Sequence, residues 1–258
     1  MKKTLLKLFA LALALHSVLY IGVSAQGGQG WYIQKRGNST PGFPADAEYL
    51  SANSCYFIDK SSADAGVKVI YLTFDAGYEN GNIAKILDTL KEKEVPAAFF
   101  ILSNLIKKNA DLVTRMFKEG HTVCNHTKNH KNMTKLTAEE MKSNLEELEV
   151  TCYETTGYRM AKYFRYPEGY YSKECVKNAS AFGYKTFFWS MAYADWDNAN
   201  QPSRERAIQA LTTTTHPGAI VLLHPTSKTN ANILCEMIDT WRDMGYSFGT
   251  LDELVKNN

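Results

Sequence analysis

Short apolar runs alternate with helical segments along most of this chain, over residues 67–256. The run at residues 67–74 is rich in β-branched and aromatic side chains, which predicts a buried strand. Apolar residues at helical spacing follow it: Ile83, Ile86, Leu87 and Leu90. Repetition of this unit about seven times requires a parallel sheet with helices packed outside it. The pattern predicts an α/β fold, either an open doubly wound sheet or a barrel.

Glycines and a capping box mark the limits of the predicted helices. Gly120, Gly183 and Gly245 each follow a helical run, and glycine readily adopts the left-handed conformation that ends a helix. Thr137 opens a capping box, which predicts the start of another helix. No GxGxxG follows the first predicted strand, so a dinucleotide-binding fold is disfavoured. Residues 67–258 are therefore predicted to form the main domain.

The first residues have the composition of an export signal. A positive start, Lys2 and Lys3, precedes a short apolar run that ends in the small residues Val23-Ser24-Ala25. This arrangement predicts a signal peptide in residues 1–25, cleaved after Ala25, and a protein that is exported and acts outside the cell. A retained membrane anchor is the alternative, although the apolar run is short for a membrane span. Once the signal is cleaved, no stable membrane insertion is expected.

Residues 26–66 show no clear hydrophobic period. Clusters of glycine and proline, including Thr40-Pro41-Gly42-Phe43-Pro44, indicate turns. We therefore predict an N-terminal extension that wraps on the main domain and is not a domain itself.

Charge and cysteine content exclude some classes of partner. The formal net charge is +2, so the sequence gives no support for nucleic acid as a partner. Five cysteines are scattered without a CxxC pair, so neither a disulfide framework nor a cysteine-built zinc site is expected. Aromatic residues are abundant, with 15 Tyr and 12 Phe, which suits a bulky core or a groove that stacks on sugar rings.

Polar residues follow several predicted strands at the points where those strands end. They are Asp75, His126, His130, Arg165, Glu168, Asp195, Trp196 and His224. Because the carboxyl ends of parallel strands form one face of an α/β fold, these side chains are expected to converge on one rim. Such a collection of acids, histidines and an arginine predicts a catalytic site there.

Each of these residues also has a structural interpretation. His126 and His130 are four residues apart, which would put both rings on one face of a helical turn and suit a shared metal ion. A solvated loop is the alternative for this pair. Asp75 fits a general base for a metal-bound water, or an ordinary turn residue before Gly77.

The remaining strand-end residues also have both a functional and a structural interpretation. His224 fits a general acid active near neutral pH, or a core histidine with satisfied hydrogen bonds. Arg165 could hold Asp75 ionised and oriented, and Asp195 could tune a histidine. For Arg165 and Asp195 taken alone, a structural ion pair is the simpler explanation.

Five ordered segments resemble motifs of a known family, the bacterial polysaccharide deacetylases. They are Thr73-Phe74-Asp75-Ala76-Gly77, His126-Thr127-Lys128-Asn129-His130, Arg165-Tyr166-Pro167-Glu168-Gly169, Asp195-Trp196 and Leu222-Leu223-His224. The resemblance covers about Lys68 to Val255. It implies a distorted (β/α)7-type barrel, in agreement with the count of about seven strand–helix units.

The resemblance implies a role for each matching residue. Asp75 would be the catalytic base, Arg165 would position it, and His224 would be the general acid, with Asp195 beside it. The implied metal ligands are His126 and His130, holding a divalent ion such as zinc. The implied substrate-binding residues are Tyr78, Tyr166, Glu168, Trp196 and Leu222.

One position departs from the family pattern. The family usually has a second aspartate after the catalytic one, as a third metal ligand, and here that position is Ala76. A methyl group cannot bind a metal ion, so the resemblance implies a weakened and more open metal site.

The segment Asp75-Ala76-Gly77-Tyr78-Glu79-Asn80-Gly81 narrows the resemblance to the delta-lactam-biosynthetic de-N-acetylases of spore-forming bacteria. Lys228-Thr229-Asn230-Ala231 is similar to that group too. This resemblance implies N-acetylmuramic acid of peptidoglycan as the substrate, with a lactam formed in the spore cortex. The alternatives are a deacetylase acting on N-acetylglucosamine glycan or acetylated xylan, and a glycan-binding relative without catalysis.

Overall fold

The structure, a computed structural model, describes residues 27–258, and the signal peptide predicted for residues 1–25 lies outside the described residues. In chain order the strands are β1 (Gln29–Gly30), β2 (Gln34–Arg36), β3 (Ser39–Gly42), β4 (Cys55–Tyr56), β5 (Val69–Ala76), β6 (Ala97–Ile101), β7 (Thr122–Asn125), β8 (Tyr163–Phe164), β9 (Tyr170–Tyr171), β10 (Lys185–Phe187), β11 (Met191–Ala192), β12 (Ala219–Leu223) and β13 (Ser247–Phe248). The helices are α1 (Ala47–Ala52), α2 (Lys60–Ala65), α3 (Ile83–Glu92), α4 (Ser103–Lys108), α5 (Ala110–Lys118), α6 (Ala138–Thr156), α7 (Lys173–Ala181), α8 (Arg204–Thr212), α9 (Lys228–Asp243) and α10 (Leu251–Asn257).

Parallel strands form one curled sheet in the order β11-β12-β5-β6-β7-β8-β10-β4, and β13 pairs with the start of β5. Helices cover its outer face. Ile58, just after β4, forms a bridge to Ala219 at the start of β12, which brings the two sides of the sheet together. The predicted α/β architecture is confirmed in its barrel form, because the sheet curls instead of staying open.

Side-chain alternation along β5 separates the core from the site. Ile70, Leu72 and Phe74 point into the larger apolar cluster, between the sheet and the outer helices. Tyr71 belongs to a second cluster inside the barrel. Since successive side chains of a strand face opposite sides, Asp75 lies on the inner face with Tyr71.

The predicted helix limits are confirmed. Gly120, Gly183 and Gly245 have φ of 82°, 85° and 87°, so each adopts the left-handed conformation that ends a helix. Thr137 accepts from the backbone N–H of Glu140 and forms the capping box that opens α6. Helix α4 and the short strands β9 and β11 lack a sequence pattern strong enough to predict them.

The N-terminal segment packs along the barrel. Strand β1 pairs antiparallel with β9, β2 and β3 form a hairpin, and β4 pairs parallel with β10. Trp31 is buried in a third apolar cluster, stacked on Phe188 with ring centroids 4.6 Å apart. The segment predicted as an extension therefore contributes both a sheet strand and core side chains. Among the helices of residues 27–258, none has the length and hydropathy that crossing a bilayer requires.

Candidate functional site

A cavity of about 830 Å³ opens at the carboxyl ends of the central strands. The predicted site residues in its wall are Asp75, Tyr78, His126, His130, Glu168, Trp196, Leu222 and His224. Arg165 and Asp195 lie behind this wall and are buried. The parallel strand ends thus bring side chains from distant parts of the sequence to one rim.

The carboxylate of Asp75 lies against Arg165. Arg165 Nη1 donates to Asp75 Oδ1 at 2.8 Å. The guanidinium is fixed because its Nε donates to Phe187 O at 3.0 Å and its carbon lies 4.1 Å from the Phe100 ring centroid. Burial alone would raise the pKa of Asp75, but the charge of Arg165, with two nearby histidines, outweighs it and lowers that pKa. Asp75 is therefore an oriented, ionised carboxylate at neutral pH.

The imidazole of His224 is held by Asp195. Asp195 Oδ1 accepts from His224 Nδ1 at 2.7 Å, and Oδ2 accepts from the His224 backbone N–H at 2.8 Å. Because a carboxylate only accepts, Nδ1 carries a proton and Nε2 is left to exchange one. Burial alone would lower the pKa of His224, but the hydrogen bond and charge of Asp195, with the charge of Asp75, raise it above its usual value. Asp195 and Asp75 therefore favour the protonated form of the His224 imidazole.

Residues 126–130 form a loop, and the helical turn predicted from the spacing of the two histidines is wrong. Thr127 and His130 adopt left-handed conformations, with φ of 78° and 58°. Thr127 N donates to Asn125 Oδ1 at 2.8 Å, and His130 N donates to Thr127 Oγ1 at 2.9 Å. These local side-chain bonds compete with a helical turn. The rings of His126 and His130 still lie close, with centroids 5.1 Å apart.

The donor atoms of this loop suit a divalent metal. His126 Nδ1 donates to Arg165 O at 2.9 Å, so a neutral ring presents a lone pair on Nε2. Burial lowers the pKa of His126 to about 4, which keeps the ring neutral near pH 7. His126 Nε2 lies 3.6 Å from Asp75 Oδ2. Two electron-rich atoms therefore face each other, an arrangement that a neighbouring cation would stabilise.

The donor count falls short of a closed metal site. Across residues 27–258, no group of three or more His, Cys, Asp or Glu side chains is arranged to hold a metal ion. Ala76 pairs with Ile101 of β6, is fully buried and packs in the larger apolar cluster. It supplies no donor and stands apart from the cavity wall. The residues fit a two-imidazole site with positions open to water or substrate.

The turn after β8 is strained and packed against the N-terminal segment. Glu168 and Gly169 have φ of 56° and 63°. A Cβ on Gly169 would lie 2.8 Å from the Trp189 ring and 3.1 Å from Trp31 Cβ, so the position requires glycine. Trp31 N donates to Gly169 O at 2.9 Å, and Trp31 Nε1 donates to Trp189 O at 2.8 Å. One tryptophan thus fixes two segments of the cavity wall.

The predicted substrate-binding residues differ in exposure. Trp196 is 62% exposed and Tyr78 is 45% exposed, and both border the cavity. Leu222 gives an apolar patch of wall beside His224. Tyr166 is fully buried in the third apolar cluster, and its hydroxyl has no hydrogen-bond partner in the described part of the chain. The Tyr166 side chain therefore lies outside the cavity.

Asn230 is a site residue that the sequence motifs do not identify. Its Nδ2 donates to Asp195 Oδ2 at 2.5 Å and to His224 O at 3.1 Å. Tyr193 donates its hydroxyl proton to Asn230 Oδ1. The one sequence signal at this position is the resemblance of Lys228-Thr229-Asn230-Ala231 to the deacetylase subgroup.

Comparison with known proteins agrees with this geometry. The family model for polysaccharide deacetylase matches residues 62–187. The peptidoglycan-N-acetylmuramic acid deacetylase PdaA of Bacillus subtilis is 39% identical over 188 residues, which are 73% of this chain and 72% of PdaA. The solved structure of Bacillus subtilis PdaA, a family 4 carbohydrate esterase, matches with a TM-score of 0.84 at 32% identity, covering 90% of this chain and 98% of that one.

Two further relatives extend the comparison. A family 4 carbohydrate esterase from Bacillus anthracis matches with a TM-score of 0.74 at 36% identity, covering 91% of this chain and 99% of that one. The peptidoglycan-N-acetylglucosamine deacetylase PgdA of Listeria monocytogenes is 34% identical over 187 residues, which are 72% of this chain but 39% of PgdA. With the family match and these identities over more than two thirds of its length, the chain belongs to the polysaccharide deacetylase family.

Proposed function

We propose that this chain is an exported hydrolase that removes the N-acetyl group from N-acetylmuramic acid residues of peptidoglycan. The observation that carries the proposal is that one cavity holds a carboxylate bound by an arginine, Asp75 with Arg165, and a histidine bound by a carboxylate, His224 with Asp195. The pKa of Asp75 is lowered by Arg165, and the pKa of His224 is raised by Asp195 in spite of burial. Amide hydrolysis needs a base that stays ionised and an acid that stays protonated at the same pH.

These residues divide the reaction into two proton transfers. Asp75 accepts a proton from the water that attacks the acetyl carbonyl, while Arg165 keeps the carboxylate oriented. His224 then protonates the departing amine, which leaves poorly as an anion. The products are acetate and a free amino sugar.

His126 and His130 are the residues that would hold a divalent metal. When bound, zinc or a similar ion supplies Lewis-acid polarisation of the acetyl carbonyl and the attacking water. The neutral ring of His126 and the carboxylate of Asp75 beside it support a cation at this point.

The cavity wall suits a sugar. The exposed rings of Trp196 and Tyr78 offer aromatic faces on which a pyranose packs, and Leu222 offers an apolar surface for the acetyl methyl group. Similarity to PdaA supports muramic acid as the deacetylated residue. The resemblance of residues 75–81 and 228–231 to the delta-lactam-biosynthetic de-N-acetylases supports lactam closure in spore cortex as the later event. Similarity to PgdA supports N-acetylglucosamine as the alternative.

The site of action follows from the substrate. Peptidoglycan lies outside the cytoplasmic membrane, and the predicted signal peptide of residues 1–25 would deliver the protein there.

Acetate release by the purified protein tests the proposal. The substrates are muramic-acid-containing glycan stripped of peptide and, beside it, chitin oligomers. Acetate release from the muramic glycan alone is expected. Release from chitin would show that the enzyme acts on N-acetylglucosamine instead. Asp75→Asn should abolish release, whereas Asp64→Asn, at an exposed surface ion pair with Lys60, should leave it unchanged. No release from any glycan by folded protein with added metal would leave a glycan-binding role instead.

Metal dependence has its own test. Excess chelator and His126→Ala should each lower acetate release by about 100-fold or more, because the ion acts on the reacting carbonyl and water. Zinc added back after dialysis should restore the chelated wild type but not the variant. Full activity in excess chelator would remove the metal from the mechanism.

A further inference from the structure

Four side chains form a continuous hydrogen-bonded chain behind the cavity wall. Tyr193 donates to Asn230 Oδ1, and Asn230 Nδ2 donates to Asp195 Oδ2 at 2.5 Å. Asp195 Oδ1 accepts from His224 Nδ1 at 2.7 Å. Tyr193 and His224 both line the cavity, so the chain starts and ends at the substrate space.

The amide of Asn230 has one orientation that its neighbours accept. Its Nδ2 faces two acceptors, Asp195 Oδ2 and His224 O, at 2.5 and 3.1 Å. A flipped amide would put its oxygen against both of them. Burial, with the nearby charge of Asp195, raises the pKa of Tyr193, so its hydroxyl stays a donor toward Oδ1. The direction of each hydrogen bond in the chain is therefore fixed.

Asn230 is placed by its own helix and does not touch the cavity. It is 2% exposed and lies in the first turn of α9, where its N–H donates to Ser227 Oγ at 3.1 Å. Asparagine is a poor helix former, and a buried amide is costly unless it is paired. A residue of this kind at a buried helical position points to a task outside the helix.

We propose that Asn230 is a positioning residue for deacetylation, which acts through Asp195 to hold His224 and is itself anchored by Tyr193. The inference rests on the proposed role of His224 as proton donor. The carboxylate oxygen Oδ2 of Asp195 accepts from two N–H groups, those of Asn230 and the His224 backbone, which fixes its rotation. Held in this way, the other oxygen, Oδ1, faces His224 Nδ1 at 2.7 Å and orients the imidazole toward the cavity.

Single substitutions measure the contribution of the amide. Asn230→Ala should lower kcat for acetate release about 10-fold to 100-fold, the range expected for a lost hydrogen bond to a charged group. Its KM should stay within about twofold, because Asn230 lies behind the wall. Tyr193→Phe should give a smaller loss of kcat. The matched control is Asn232→Ala, an exposed asparagine of the same helix that binds Lys85, and it should match the wild type.

Coupling to Asp195 separates positioning from a general structural role. In an Asp195→Ala background, adding Asn230→Ala should cause no further loss of kcat, because the residue through which it acts is gone. Losses that multiply would overturn the proposal, as would a wild-type kcat in Asn230→Ala. If Asn230→Ala does not fold, the same comparison is made with Tyr193→Phe, alone and in the Asp195→Ala background.

A measurement that does not depend on activity tests the positioning role separately from the proposed function. The ¹⁵N resonances of His224 in the wild type should report a protonated, hydrogen-bonded Nδ1. Asn230→Ala should shift or broaden them, and Asn232→Ala should not. Absence of acetate release by the wild type would reject the proposed function, whereas unchanged His224 resonances in Asn230→Ala would reject the positioning role.

Discussion

Asp75 and His224 favour opposite charges because their buried partners carry opposite charges. The guanidinium of Arg165 lowers the pKa of Asp75 against the effect of burial, so the base is lost only as pH falls through that lowered value. The carboxylate of Asp195 raises the pKa of His224 against the effect of burial, so the acid is lost only as pH rises through that raised value. Activity should therefore follow a bell-shaped pH profile whose alkaline limb lies above the usual pKa of histidine.

Asp195→Asn tests the origin of the alkaline limb. Without the negative charge, the pKa of His224 should fall, so the alkaline limb of the kcat profile should move to lower pH. The amide also disturbs the tautomer and orientation of the ring, and kcat at the optimum should fall about 100-fold or more. The pH dependence of acetate release measures both effects.

Asp197→Asn is the control for this substitution, because Asp197 is an exposed carboxylate two residues away in the same loop. Its profile should overlie that of the wild type. An unmoved alkaline limb in Asp195→Asn would mean that another group supplies the proton.

Among the elements, the loop that follows β7 contains two non-glycine residues, Thr127 and His130, in the left-handed conformation. Thr127 is β-branched and fully buried, yet its φ is 78°, a conformation costly for such a side chain. Its Oγ1 accepts from His130 N at 2.9 Å, which fixes the second histidine of the candidate metal pair. Strain of this kind persists where the surroundings demand it, and it often marks functional loops.

A matched pair of substitutions separates the two properties of Thr127. Thr127→Val keeps the branched shape but removes the acceptor, so His130 should be less well held and kcat at fixed zinc should fall about tenfold. Thr127→Ser keeps the acceptor and removes the branch, so activity should stay within about twofold of wild type. Equal activities of the two variants would show that the hydrogen bond does not matter for catalysis.

Just before β7, a buried histidine lacks hydrogen-bond partners. His121 is buried, and within the described residues neither of its ring nitrogens has a hydrogen-bond partner. Burial lowers its pKa from the usual 6.5 to about 4. The unfolded chain therefore takes up this proton at higher pH than the folded one, and stability is lost as pH falls from 6.5 toward 4.

His121→Leu should reduce this acid sensitivity. Between pH 7 and pH 5 the wild type should lose about 2 kcal/mol of unfolding free energy through this residue, and the variant should not. Urea unfolding at the two pH values measures the difference. His126 is also buried with a lowered pKa and remains in both proteins, so part of the acid sensitivity should persist in the variant. Equal losses in the two proteins would mean that His121 is protonated in the folded state.

Across the whole molecule, the N-terminal segment belongs to the active-site wall. Trp31 binds the backbone of Gly169 and of Trp189, both of which border the cavity. The site therefore depends on residues about 140 to 160 positions apart in sequence, joined by one buried ring.

Trp31→Phe separates the hydrogen bond to Trp189 from the stacking on Phe188. Phenylalanine keeps most of the stacking but lacks the indole N–H, so the free energy of unfolding should fall by about 1 kcal/mol. The value of kcat/KM should also fall, by more than the increase in unfolded protein accounts for. Thermal unfolding and acetate release measure the two quantities. Tyr32→Phe, at the exposed neighbouring position, should change neither. A Trp31→Phe variant that loses stability but keeps full kcat/KM would show that Trp31 stabilises the core without shaping the active site.

Much of the fold and the rim of the site could be predicted from local patterns. Apolar period and glycine stops define strands and helices, and the position of Asp75 and His224 at strand ends predicts their convergence. These signals are local, because each depends on a few neighbouring residues and on the known geometry of parallel sheets.

The remainder depends on contacts that a local pattern does not contain. The left-handed conformation of Thr127 arises from side-chain bonds that compete with a helical turn. Asn230 gains its place through Asp195, and Trp31 through Gly169, partners far away along the chain. Tyr166 is buried against Phe188 and other residues of the third apolar cluster, so its motif position did not predict that its side chain lies outside the cavity.

The pairing of β5 with β12 has a consequence for how the chain is made. Thr73 and Val221 are hydrogen-bonded across a separation of 148 residues, and β5 is the strand that carries Asp75. During synthesis, one edge of that apolar strand stays open until nearly the entire chain has emerged. Such distant pairing slows folding and exposes a surface on which two nascent chains can associate. We therefore expect the arrangement that builds the site to leave the unfinished chain with an open apolar strand edge, a surface that a holding chaperone could cover.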